Sequence, residues 1–417
     1  RQDAARKEFI LMAKKFDPHQ AMADARHEFG EHGGVNMSIA ASTTYTVMSP
    51  ELMPEIFAGQ LGPTEGGCYL YGRHFNPTVY VLGRMVAAME GAEAGYGCAS
   101  GMSAIASAIM QRCTAGSKVV SSNTLYGGTW ALFAEYLPSK CGIDTTFVDI
   151  QDLASVEKAM NEGVEVLYTE TLSNPTLRVA DIAALSEIAH RNNACLVVDN
   201  TFTPMIFSPI LQGADVVIHS ATKFLSGASD VIAGVICSST SFIEELMDLH
   251  HGSLMLLGPT MDPIVAFRLS LRLPHLGVRM KEHSSRAMIF AERLHKLGLD
   301  VVYPGLESHP DHSLFAACSN DEYGFGGLFT LDMETPERAS KLMDLLQNEV
   351  RFGFIAVSLG YFDTLLTCPG ASTSSEMGED ALHLAGISPS LVRFSIGLTG
   401  SVEERWDQLA QAIKMCD

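Results

Sequence analysis

An acid, an amine and several hydroxyls stand where apolar runs of this chain end. Cys195-Leu-Val-Val-Asp199 closes on a carboxyl followed by Asn200 and Thr201. Asp215-Val-Val-Ile-His219 leads into Ser220-Ala-Thr222-Lys223-Phe-Leu-Ser226-Gly227. Upstream, Ser100-Gly101-Met102 lies where a glycine-rich turn meets a helix start, and Tyr126-Gly-Gly and Glu170-x-x-x-Asn174-Pro175 fall between. Each piece has an ordinary use: an Asp closing a strand commonly caps a turn, a Lys beyond a strand is commonly solvated, and Ser-Gly at a helix start is first a cap. Their joint placement points to chemistry, because ligands of open parallel sheets sit at the carboxyl ends of strands.

One cofactor needs the whole set. Pyridoxal phosphate requires a lysine amine for an imine link, an acid against its pyridine nitrogen and a cup for its phosphate. Lys223 supplies the amine, and Asp199 keeps the ring nitrogen protonated so that the ring acts as an electron sink. Gly101 and Met102 offer backbone N–H groups at a helix N-terminus, and Ser220 and Thr222 add hydroxyls to the cup. Burial beside a cationic ring lowers the lysine pKa toward a usable nucleophile. Tyr126 is placed to stack on the ring and to transfer protons. Gly95-x-Gly97-x-x-x-Gly101 also suggests a dinucleotide loop, but the next strand ends in Ser121-Ser122-Asn123, with no acid to hold a ribose. No H-E-x-x-H, Walker loop, G-x-S-x-G elbow or metal-ligand cluster is present, so no metal site is expected. A catalytically dead relative that binds the cofactor for structure is disfavoured because every proposed catalytic position is filled.

Such residues need a sheet to hold them. Lys118–Ser121, Thr146–Asp149, Val164–Tyr168, Cys195–Asp199, Asp215–His219 and Val231–Cys237 read as strands, with helical stretches such as Val79–Glu90 and Asp181–Asn192 among them. Near-continuous apolar strands alternating with helices indicate an α/β fold with a mostly parallel sheet covered on both faces. A long helical stretch, Pro263–Leu297, leads to a smaller C-terminal α/β domain with strands in Phe325–Met333 and Leu391–Leu398 and helices over Pro336–Gln347 and Val402–Cys416. The divisions expected are an extended N-terminal arm (1–75), a cofactor-binding large domain (76–274) and a small domain (275–417).

With 417 residues, 28 Lys+Arg against 48 Asp+Glu and a net charge of −20, the chain lacks the basic surface that nucleic acid or an anionic membrane demands. Apolar residues make up 47%, ample for a large core. Nine cysteines without a C-x-x-C pair fit reduced thiols in a cytosol-like compartment, so a cytoplasmic location is expected. The chain starts at Arg1 rather than Met, and its natural N-terminus is expected to have been trimmed.

These motifs together resemble the γ-subfamily of pyridoxal-phosphate enzymes that act on Cys, Met and homoserine derivatives. The likeness rests on Val217-Ile-His-Ser-Ala-Thr-Lys223-Phe-Leu-Ser-Gly227, Asp199-Asn-Thr201, Glu170-x-x-x-Asn174-Pro175, Tyr126-Gly, Ser100-Gly-Met102 and Ala356-Val-Ser358-Leu-Gly360, and runs from about Arg26 to Asp407. It implies the type I, aspartate-aminotransferase-like fold and a homotetramer built as a dimer of dimers. Tyr71 and Arg73 resemble the arm residues that reach the phosphate of the neighbouring subunit. Thr201 belongs to the matched Asp-Asn-Thr cofactor motif, and Asn174 resembles the residue that bonds the cofactor's phenolic oxygen. Ser358 resembles the serine that orients the lysine, and Arg393 the arginine that grips the substrate carboxylate. Stretches 27–38, 252–260 and 352–361 resemble the plant-type members that act on methionine, which implies cleavage of L-methionine to methanethiol, 2-oxobutanoate and ammonia. Cystathionine cleavage and γ-replacement on an activated homoserine (cystathionine γ-synthase or O-acetylhomoserine sulfhydrylase chemistry) remain the alternatives. Some positions depart from common patterns: Gly128 stands in place of a frequent Cys, Pro274 of a Lys, Cys368 of a His, and Asp363 of a Glu that would suit cystathionine's distal amine.

Overall fold

The computed structural model describes residues 2–25, 30–58, 60–62 and 68–416. Parts of the expected arm, 26–29, 59 and 63–67, lie outside these, as do His27, Glu28 and Phe29 of one motif stretch.

Seven strands form the larger sheet: β1 (Ala94–Cys98), β2 (Lys118–Ser122), β3 (Asp144–Val148), β4 (Val164–Glu170), β5 (Cys195–Asp199), β6 (Val216–Ser220) and β7 (Gly234–Ser238). Their order is β1-β7-β6-β5-β4-β2-β3, with β2 to β6 mutually parallel and β7 antiparallel to both of its neighbours. Fully buried Val, Leu and Ile on β4 to β7 make the sheet a two-sided core element. The chain that returns from β6 to β7 carries Lys223.

β1 is an edge strand that the sequence disguised as a glycine-rich turn. Gly95 and Gly97 depress strand propensity, yet their use is close packing. A Cβ at Gly97 would lie 2.9 Å from Met261 Cε, and one at Gly95 would lie 2.8 Å from the Gly83 carbonyl oxygen. The helix Pro77–Glu90, capped by Asn76 at its start and by left-handed Gly91 at its end, thereby lies directly on β1. Gly95 and Gly97 of the apparent dinucleotide loop therefore lie in a strand and serve close packing, while Gly101 stands beyond it at a helix start.

A five-stranded sheet holds β8 (Val301–Val302), β9 (Leu328–Asp332), β10 (Phe354–Ile355), β11 (Leu365–Thr367) and β12 (Leu391–Ser395) in the order β10-β11-β12-β9-β8. It has its own core, including Phe290, Phe329, Leu342, Phe352 and Phe394. The helical stretch between the sheets is two helices, Pro263–Arg272 and Leu276–Lys296, with a 3-10 turn over Leu273–His275. Pro274 lacks the N–H that a continuous helix would need there.

Residues near the N-terminus differ from an extended arm. Gln2–Lys15 and Pro18–Asp24 are helices, the second capped by Asp17 with Pro18 in its first turn. They bury Ala13 and Met22, and Arg6 pairs with Asp181 of the large-sheet region.

Candidate active site

Four strand ends converge. β1 leads to Ser100, which caps the helix Gly101–Arg112 in a capping box with Ser103. A Cβ at Gly101 would stand 2.7 Å from Ser220 Cβ, so glycine lets this helix start press against the end of β6. Among the described residues the N–H groups of Gly101 and Met102 meet no acceptor. The Ser100 hydroxyl is spent on its cap, accepting from Ser103 N at 3.0 Å.

At the end of β5, Asp199 Oδ1 accepts from Thr201 N (2.9 Å), and Thr201 Oγ1 accepts from Ser220 N (2.8 Å), tying β5 to β6. The second Asp199 oxygen takes no bond among the described residues, and burial raises this carboxyl above the ordinary range. Thr222 Oγ1 accepts from Ala233 N at 3.0 Å, pinning the loop that holds Lys223. Arg279 clamps the same loop, donating to the carbonyls of Phe224 (2.6 Å) and Leu225 (3.1 Å).

Lys223 Nζ donates to Ser358 Oγ at 3.1 Å. Gly360 makes this contact accessible: it sits at φ +74°, and a Cβ there would lie 2.6 Å from Phe224 N. Burial, and secondarily the Arg393 charge, lowers the Lys223 pKa to about 8. Arg393, on β12, is 2% exposed and donates to Asn174 Oδ1 (2.8 Å) and the Ser358 carbonyl (3.2 Å), while its Nε is buried without a partner. No carboxylate forms an ion pair with it among the described residues. Burial pushes its pKa down to about 10, against the opposing pull of Glu170. A buried guanidinium left in this state is a receptor for an anion.

Glu170, at the end of β4, accepts from Tyr126 N (2.7 Å) and Asn174 N (2.9 Å). Burial first, and Asp199 second, push its carboxyl up to about 8. It holds two functional segments by their backbones. Burial, then the Glu376 charge, raises the Tyr126 phenol, so this hydroxyl stays protonated. Its ring stands at the rim, 41% exposed.

All of Ser100, Gly101, Met102, Tyr126, Asn174, Asp199, Thr201, Ser220, Thr222, Lys223, Ser358 and Arg393 line one cavity of about 270 Å3. Tyr71 and Arg73 do not. The Arg73 guanidinium lies 5.6 Å from the Tyr71 ring centroid, and its Nη1 donates to the Met255 carbonyl at 2.8 Å. Glu170, Phe202 and Thr373 also line the cavity but are absent from the sequence-predicted set. Glu170 stood in a quoted motif, whereas nothing local marks Phe202 or Thr373. His219 is a fully buried strand residue, 2.6 Å from Glu90, as its apolar neighbours suggest.

Residues 19–414 match the Cys/Met metabolism PLP-dependent enzyme family. The chain belongs to this family. Among members of the Cys/Met metabolism family, it is 56% identical over 397 residues to a methionine gamma-lyase of Arabidopsis thaliana, covering 95% of this chain and 90% of that one. It is 36% identical to an L-methionine gamma-lyase of Fusobacterium nucleatum, over 92% and 94% of the two chains. A Campylobacter jejuni structure described as an O-acetylhomoserine (thiol)-lyase, containing N'-pyridoxyl-lysine-5'-monophosphate, superposes with a TM-score of 0.87 at 28% identity, over 96% of this chain and all of that one. The type I architecture expected from the motifs is thus the fold observed. The donor set fits the family's cofactor on this chain's own geometry: a helix start with unmet N–H groups, a buried acid with one open oxygen, and a buried amine of lowered pKa.

Proposed function

We propose that this protein is a methionine γ-lyase: L-methionine and water give methanethiol, 2-oxobutanoate and ammonia. The Arg393 guanidinium, without a carboxylate partner among the described residues and beside Lys223, in a cavity whose walls also include an apolar set (Ile105, Leu172, Phe202, Ile232, Val357, Leu359), is the observation that carries the reading. The α-carboxylate pairs with Arg393, and the uncharged thioether tail needs only apolar contact. Lys223, Asp199, the Gly101 and Met102 N–H groups and the Ser220 hydroxyl would hold pyridoxal phosphate, which would supply an electron sink for charge developing on the substrate carbon chain.

The Lys223 amine, which would hold the cofactor when no substrate is bound, is positioned by Ser358. With its lowered pKa it takes the α-proton and then moves a β-proton. Tyr126, kept protonated, gives a proton to the departing sulfur. Asn174 is fixed by Glu170 at its N–H and by Arg393 at its Oδ1, which leaves its amide NH2 for the cofactor's phenolic oxygen.

Asp363 weighs against cystathionine. Its Oδ1 accepts from Thr364 N (2.9 Å) and Thr399 Oγ1 (2.8 Å) and sees Arg405 Nη2 at 3.4 Å, and it is not among the cavity walls. It is therefore held away from a distal ammonium. The tetramer is part of the proposal: among the described lining residues the only cations are Lys223 and Arg393, so a phosphate dianion draws further charge from outside that lining, and Arg73 of a second copy is the candidate for it.

The test is to supply PLP-loaded protein separately with L-methionine, L-cystathionine, and O-acetylhomoserine plus thiol. Methanethiol and 2-oxobutanoate from methionine at much the highest kcat/KM are expected. Preference for cystathionine, or a thioether product, would reassign the activity within the family.

A further inference from the structure

A segment far from every cofactor motif closes the cavity at Tyr126. Gly127 N donates to the Thr373 carbonyl at 3.0 Å. A Cβ added at Gly127 would overlap both that carbonyl and the Glu376 carboxylate, so Glu376 lies directly over the Tyr126–Gly127 backbone. Its charge is felt at the phenol, where it adds to burial in keeping the proton on. Glu376 is exposed and forms no ion pair or hydrogen bond among the described residues, so its charge is uncompensated. Thr373 beside it is a cavity wall whose buried Oγ1 has no partner.

We propose that Glu376 is a specificity-determining residue that selects against amino acids whose side chain ends in a carboxylate. The inference deepens the methionine reading and rests on its substrate orientation. With the α-carboxylate at Arg393 and the α-carbon at Lys223, the far end of the side chain points to Tyr126, the residue that protonates the leaving sulfur. A methyl-thioether end passes this point uncharged. A carboxylate end approaches the charge of Glu376, which lies behind the Tyr126–Gly127 backbone rather than among the cavity walls, and the Arg393 guanidinium is already engaged at the α-carboxylate. Like charges without a counterion repel, and at an exposed rim the repulsion is modest and weakened by salt.

Two non-reacting amino acids of the same length isolate the effect: L-norleucine, ending in methyl, and L-2-aminoadipate, ending in carboxylate. Their dissociation constants are read from the spectral change on titrating PLP-loaded protein, a binding measurement independent of turnover. The expected ratio favours norleucine by about tenfold or more. Glu376→Gln narrows the ratio by about three- to tenfold, and Asp380→Asn, an exposed acid on the same segment, leaves the ratio unchanged. Added salt narrows the ratio in the parent protein more than in Glu376→Gln. An unchanged ratio in Glu376→Gln, or equal narrowing by Asp380→Asn, overturns the proposal. The two readings fail separately. Methionine turnover with an unchanged ratio sinks only the role of Glu376, while a shifting ratio in a protein that leaves methionine intact sinks only the assigned activity.

Discussion

At the scale of single residues, the site works by burying charged groups and leaving each one short of a partner. Lys223 has a hydroxyl for company instead of a carboxylate, and burial puts its pKa near 8. A lowered lysine pKa means the neutral, nucleophilic amine appears well below the pH where a solvated lysine would provide it. In protein stripped of cofactor, the rate of pyridoxal phosphate capture should therefore rise with pH to half its maximum near 8. Capture followed by absorbance across pH 6–10 checks this; a midpoint near the ordinary lysine value of about 10.4 would show that the amine is solvated. Arg393 makes the complementary case. Truncating one partner of a buried charged pair costs about 2–5 kcal/mol, so Arg393→Ala should lower kcat/KM for methionine by roughly thirtyfold to a few thousandfold. Cofactor absorbance should persist, because the proposed function gives Arg393 to the substrate rather than to the cofactor. Loss of the cofactor band in step with activity would give Arg393 a different job.

At the scale of elements, glycines decide which segments reach the site. Gly360 lets the strap bearing Ser358 cross the lysine loop in a left-handed turn. Gly360→Ala faces about 1–2 kcal/mol for the backbone conformation alone and an overlap with Phe224 N besides. A lower melting temperature and a raised Lys223 pKa are expected together, since the strap must lift and relieve the burial that lowers the amine; thermal melts and the capture profile above measure both. The same glycines explain what could be read from the sequence. β5 was legible to the residue because Cys195–Asp199 is apolar, β-branched and closed by an acid. That the Ser100-Gly101-Met102 turn and the lysine loop share one cavity was legible because they occupy strand ends, where chemistry is looked for. β1 was not, because Gly95 serves a close contact with Gly83, 12 residues earlier in the chain, and Gly97 one with Met261 and Val79, which no local propensity records. Thr373 and Glu376 escaped for a related reason: they join the site through a single long-range backbone bond to Gly127. The helical start of the chain, Gln2–Lys15, was hidden by its weak patterning and gains its order from docking onto distant parts of the fold, through Arg6 to Asp181 and Lys14 to the Ala316 carbonyl.

At the scale of the whole molecule, the question is whether one chain makes a complete site. Its cavity gathers an amine, an acid and unmet N–H groups, yet Arg73 lies outside, donating to Met255 with its guanidinium against Tyr71. If the phosphate cup borrows Arg73 from a second copy, two inactive variants can repair each other. Arg73→Ala keeps its own Lys223 but offers its neighbour no guanidinium; Lys223→Ala has no amine but still offers Arg73. In a mixed dimer, the site with intact Lys223 faces the subunit with intact Arg73 and is whole, while the other site lacks both. Co-expressing or reassembling the two variants should thus recover activity well above either alone, up to half the parental value in a pure heterodimer and about a quarter after random pairing. If Arg73 instead served the site of its own chain, every site in every mixture would lack one residue, and mixing would recover nothing. The outcome turns only on which chain owns the cation, so it discriminates even if both substitutions also lower stability, provided that the parental protein, mixed with itself under the same protocol, sets the scale.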